Sequence, residues 1–116
     1  MFLFTVFFLA FLNITTAIID GSYSDPNHPS CARVIQVESL RKLNVYGADA
    51  AGGEGVSCDG TTDVKWGPLP GYTAANRVVV DFSSKGGPSD LTGKYQTSPD
   101  GKEQIVWKDG NAWTKL

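Results

Sequence analysis

From residue 18 to the C-terminus no segment keeps apolar residues at helical spacing, whereas short β-branched or aromatic runs broken by Gly, Pro and Asp recur throughout. Such a chain can bury its apolar side chains only by pairing strands, so the expected class is all-β. Candidate strands cover 22–24, 32–38, 43–47, 55–58, 62–66, 77–82, 91–97, 103–108 and 112–116. Residues 38–42 could form a helical turn, and a loose hairpin connection accounts for them equally well. Where alternation is clean, Val78, Val80 and Phe82 share one face, and Leu91, Gly93, Tyr95 and Thr97 share another. Those are the marks of half-buried antiparallel strands.

Three tight connections carry the strongest turn chemistry: Ser84-Lys85-Gly86-Gly87-Pro88, Pro99-Asp100-Gly101 and Asp109-Gly110-Asn111. Residues 77–116 therefore read as a four-stranded meander. Its last hairpin has two registers. The one with Ile105 opposite Trp113 is preferred because it places Ile105, Trp107 and Trp113 on one face. Loop material is expected at 48–55 and 67–76, the longest stretches without strand character. About eight short strands in one small domain must cover each other's apolar faces. The expected architecture is a small antiparallel up-and-down barrel or a two-sheet sandwich, with the barrel preferred.

The first seventeen residues are of a different kind. Five of the six phenylalanines lie in the first eleven positions, within an apolar run too short to span a bilayer, which needs about 20 residues, but suited to a secretory leader. Thr15 and Ala17 supply small residues at −3 and −1 of a cleavage site. Residues 1–17 are thus expected to be removed, leaving a single secreted domain over 18–116. The sequon Asn13-Ile14-Thr15 would leave with them. In an oxidising compartment Cys31 and Cys58, the two cysteines, are expected to form one disulfide. Ten Lys and Arg, scattered among twelve Asp and Glu, form no stripe for nucleic acid. Two cysteines and one distant histidine do not make a zinc site. No metal or cofactor is expected, and no membrane contact once the leader is gone.

Candidate binding residues come from loops. His28 lies between Pro26 and Pro29, either as a fixed imidazole or simply as part of a rigid turn capped by Asp25 and Asn27. Asp49, Glu54, Asp59 and Asp63 gather in a Gly-rich stretch that reads as solvated turns, without EF-hand spacing. Gly86-Gly87 beside Lys85 lacks the helix of a phosphate loop, so a hairpin connection is the better reading. Trp107 and Trp113 read as core. Trp66, before Gly67-Pro68, and Tyr72, after Pro70-Gly71, read as rim aromatics suited to stacking on a ligand. Trp66, Tyr72, His28, Asp49 and Glu54 are accordingly the expected ligand-binding set.

No catalytic motif accompanies them; the acid–base candidates are His28 with Asp25 and the carboxylate group just named. The expected function is that of a small secreted, non-catalytic binding module for a carbohydrate, a small apolar ligand or an extracellular protein surface. The alternatives are a secreted inhibitor of a hydrolase and, less favoured, a small hydrolase. An exposed loop from Trp66 to Tyr72 would favour inhibition or protein binding, and a cavity with Trp66 or Tyr72 at its mouth would favour a small ligand.

Overall fold

The computed structural model describes residues 19–116; the leader over 1–17, its cleavage before Ile18 and the Asn13 sequon lie outside the described residues. Eight strands follow one another: β1 (Gly21–Ser24), β2 (Arg33–Val37), β3 (Lys42–Asp49), β4 (Val64–Ala74), β5 (Arg77–Val80), β6 (Leu91–Thr97), β7 (Glu103–Trp107) and β8 (Ala112–Lys115). Each is antiparallel to its sequence neighbours, and β8 pairs back onto β1 at Tyr23↔Lys115 and Ser24↔Thr114. The sheet is a closed up-and-down barrel, so the sandwich is excluded. Closure removes the open strand edges that a small sheet would otherwise present for aggregation.

Period-two alternation decides what fills the interior. Ile35, Leu43, Val45, Leu69, Val78, Val80 and Ile105 point inward and are buried, with Tyr23, Trp107 and Trp113 beside them. Ile105 lies opposite Trp113, the register that puts both tryptophans of the last hairpin inside. The meander over 77–116 forms as expected. Residues 38–41 join β2 to β3 as a hairpin connection, not a helical turn. Residues 55–58 are loop, and a short 3-10 turn at Ser83–Lys85 was not foreseen.

The largest departure is β4. Residues 67–74 were expected to be loop and instead continue the strand, paired to β3 on one side and β5 on the other. The reason is a bulge. From Val45 to Gly47 on β3 the partner moves from Leu69 to Trp66, so β4 carries one more residue there, at Gly67-Pro68. A bulge accommodates a proline that a regular central strand would reject. It also turns Trp66 and Leu69, three residues apart, to the same inner side, where Leu69 is buried and Trp66 packs on the core.

The connections sort by length. At one end the short links 38–41, 75–76 and 98–102 close the barrel, and at the other end the longer segments 25–32, 50–63 and 81–90 join the 108–111 turn. The long-loop end is the mouth. Two of its loops are locked together by the Cys31–Cys58 disulfide and by backbone bonds from Gly55 N–H to the Asn27 carbonyl and from Cys58 N–H to the Pro29 carbonyl, at 2.9 and 3.0 Å.

Candidate functional site

Arg33 begins β2 on the same inner face as Ile35, so the strand's pleat sends a guanidinium where an aliphatic side chain would be usual. It is only 2% exposed. A buried charge persists only if its donors are satisfied. Nε donates to Asp25 Oδ2 at 3.1 Å, Nη1 to the carbonyls of Ala32 and Ala48 at 3.0 and 2.6 Å, and Nη2 to Asp49 Oδ1 at 2.9 Å. Asp25 is buried as well. Its other oxygen accepts from the Asn27 backbone N–H and from Asn111 Nδ2, both at 2.9 Å. One ionic knot thereby joins β2, the end of β3 and two mouth loops.

The guanidinium plane also meets aromatic rings, with Cζ 5.1 Å from the Trp66 ring centre and 5.7 Å from that of Trp113. Lys85 reaches over from the 81–90 loop, its Nζ 4.9 Å from the Trp66 ring and 2.7 Å from Asp49 Oδ2. Two glycines make room for the rings. A Cβ on Gly47 would sit 2.7 Å from the Ala32 carbonyl oxygen and collide with the Trp66 ring, and a Cβ on Gly93 would fall 2.8 Å from Trp107. Phe82 lies edge-on to Trp66, Trp107 and Trp113, with centroids 6.3, 6.0 and 6.3 Å away.

Above this cluster lies a cavity of about 320 Å³. Aromatic rings form its inner wall, Gly86, Gly87 and Pro88 one side, and His28, Glu54 and Asp109 part of its polar rim. Trp107, 2% exposed, is one of its lining residues, and its buried indole N–H has no hydrogen-bond partner. Burying such a donor without an acceptor costs roughly 1–3 kcal/mol. Two larger hollows, of about 430 and 580 Å³, contain no tryptophan in their walls.

Asp49 is the hub of the electrostatics. Burial of its carboxyl favours the neutral acid, but the bond from Lys85, the nearby Trp66 indole N–H and the Arg33 charge outweigh it and hold the group at about 2. The Trp66 N–H faces Asp49 without completing a hydrogen bond of normal geometry. His28 Nδ1 stands 3.5 Å from Asp49 Oδ1, likewise short of a hydrogen bond.

The five expected binding residues therefore divide. His28, Asp49, Glu54 and Trp66 meet at the mouth. Tyr72 does not: it lies on the outer side of β4 beside Lys42 and Val79, 52% exposed and toward the short-loop end. Trp66 is there, with two of the protein's own cations against its ring. Asp59 and Asp63 stay in their own turn, where Asp59 accepts from the hydroxyls and backbone of Thr61 and Thr62, and Asp63 from the N–H groups of Asp59 and Gly60. Sequence reasoning missed Arg33, Lys85 and Phe82. An arginine in phase with Ile35 and Val37 was a usable signal for the first of these.

Comparison with protein-family models, with curated proteins and with solved structures finds no match for the chain. The geometry of the mouth alone carries a functional reading.

Proposed function

We propose that this chain is a small secreted binding protein, non-catalytic, that holds a small organic molecule in the mouth of its barrel. The observation that carries the reading is the aromatic-walled cavity of about 320 Å³, lined by the buried Trp107 whose indole N–H has no partner. Ligand sites are concave, at volumes of roughly 300–1,000 Å³, and combine aromatic and apolar walls with fixed polar groups that orient the ligand. An eight-stranded barrel leaves interior room for one small ligand at most. The rim is tied by a disulfide and the wall by the Arg33 knot, so little ordering cost falls on binding.

Two further facts favour this over the alternatives. The segment from Trp66 to Tyr72 is strand paired on both sides and not a free loop, which removes the feature that spoke for a hydrolase inhibitor. Among the described residues no side-chain hydroxyl or thiol lines the cavity, and the one imidazole faces a carboxylate already engaged by Arg33 and Lys85. That disposition suits holding a molecule better than attacking one.

Native mass spectrometry of the protein from its own source tests the reading. A bound small molecule, released on denaturation, is expected, together with a denatured mass for residues 18–116 less two hydrogens. A bare or protein-bound mass would overturn the carrier reading in favour of surface recognition.

A further inference from the structure

Charge accounting at the mouth leaves an imbalance of one sign. Arg33 and Lys85 are matched by Asp25 and Asp49. Glu54 and Asp109 also line the cavity and have no cationic partner among the described residues. The mouth is thus aromatic inside and acidic at its rim, the pairing of chemistries that recognises organic cations. A cation is already seated in that arrangement. Lys85 Nζ lies 4.9 Å from the Trp66 ring centre and 2.7 Å from Asp49 Oδ2.

The Lys85 ammonium arrives from outside the barrel wall. It belongs to the Ser83–Lys85 turn, which is followed by Gly86 at φ 90° and by Gly87 and is bonded mainly within its own loop, through Lys85 N–H and Gly87 N–H to the Phe82 carbonyl. The side chain is 26% exposed and lines the cavity, within reach of a molecule entering the mouth. Resting on the ligand-carrier reading of this same site, we propose that the mouth binds a small amine with a hydrophobic body. Its ammonium takes the position of Lys85 Nζ between Trp66 and Asp49, and its body lies along Phe82, Leu91, Trp107 and Trp113. Lys85 is then an internal competitor that a ligand displaces. Asp49, held at about 2, is ionised at neutral pH, where an alkylammonium is also charged.

Three probes of nearly equal shape decide the matter by calorimetric titration at neutral pH: 2-phenylethylamine, 2-phenylethanol and 3-phenylpropanoate. With the full secreted chain, the amine is expected to bind at least tenfold more tightly than the alcohol or the acid. K85M should raise amine affinity several-fold by removing the competitor. E54Q, at an exposed position where refolding is not at stake, should lower it a few-fold. Equal binding of amine and alcohol would overturn the amine assignment and leave the carrier reading standing. Tightest binding of the acid, abolished in K85M, would overturn it in favour of an anion held by Lys85. If none of the three binds, the amine assignment is wrong, and native mass spectrometry separates the cases: a retained small molecule preserves the carrier reading, and a bare protein sinks both.

Discussion

The two ends of this barrel obey different rules. At the short-loop end the strands meet in tight connections over 38–41, 75–76 and 98–102, and polar groups inside are tyrosine hydroxyls that each find an acceptor. Tyr23 donates to the Ile19 carbonyl at 2.6 Å and Tyr95 to Glu103 Oε1 at 2.5 Å. At the mouth a guanidinium occupies a core position, aromatic rings are flanked by the protein's own cations, and the indole N–H groups of Trp66 and Trp107 complete no hydrogen bond. The first end is what alternation and turn chemistry produce unaided. The second departs from local rules, and such departures are expected where a protein keeps its function.

Breaking the Arg33 knot should give the largest difference between the ends. Arg33→Leu leaves Asp25, 5% exposed, as a buried carboxylate without its counter-ion. Losing one partner of such a pair costs about 3–5 kcal/mol. Tyr95→Phe at the other end removes one half-buried hydrogen bond, worth about 1 kcal/mol. Denaturant unfolding followed by circular dichroism checks both. Similar losses for the two variants would mean that the ionic knot is a passenger, and that the contrast between the ends is only one of appearance.

Next in size is the disulfide, which belongs wholly to the mouth. Cys31→Ser opens a link across 27 residues of sequence. It should cost about 3–4 kcal/mol in the chain-entropy description. Because the bridge joins only loops 25–32 and 50–63, the barrel strands should survive reduction, and ligand binding should weaken more than the far-ultraviolet spectrum changes. An unaltered melting temperature would show that the backbone bonds between those loops suffice without it.

Much of the short-loop end and of the late meander was legible in the sequence. Val78, Val80, Gly93, Tyr95, Ile105 and Trp113 fall on the predicted faces, because a strand with one buried side has its register dictated by period two. β4 was not legible. Gly67-Pro68 reads as a chain break in sequence, while in the barrel it is the bulge that lets Trp66 and Leu69 point inward together. The Cys31–Cys58 bridge followed from cysteine arithmetic. The Arg33–Asp25–Asp49 knot did not, since it joins positions up to 24 residues apart that share no local pattern, and it takes the β1–β2 and β2–β3 pairings to bring them into contact. Tyr72 misled for a related reason: a loop aromatic and an outward-facing strand aromatic have the same local sequence signature.

The glycines that seat the tryptophans give a smaller and more local effect. Gly47→Ala places a methyl against Trp66, and the ring must move because the opposite neighbour is the rigid Ala32 carbonyl. Overpacking of this kind costs about 1–3 kcal/mol. The useful readout is selective. Trp66 fluorescence and amine affinity should change in Gly47→Ala, while Gly101→Ala, in an open turn at the short-loop end, should lose only the cost of its φ of 85° and leave both unchanged. Equal effects on binding would break the assignment of Trp66 to the site.

The smallest effect near neutrality, and the one that resolves the two ends by a single variable, is pH. Asp49 at the mouth titrates at about 2 against an ordinary 3.8. The unfolded chain therefore binds more protons between those values, so the stability this group adds is complete above about pH 4 and is lost as pH falls toward 2. At the other end, burial first and then the neighbouring Glu103 push the hydroxyls of Tyr23 and Tyr95 well above their ordinary value near 10. There the native state retains protons that the unfolded chain gives up, so stability falls as pH rises beyond about 10. Neither group titrates between pH 5 and 9, and the melting temperature should owe nothing to them in that interval. Asp49→Asn should reduce the acid limb and leave the part that Glu38, Asp59, Asp81 and Asp100 supply, since hydrogen bonds hold those carboxyls below their ordinary values too, and Tyr95→Phe should reduce the alkaline limb alone. If Asp49→Asn altered the alkaline limb as well, the mouth and the short-loop end would be one electrostatic unit, and the division on which the functional reading rests would have to be given up.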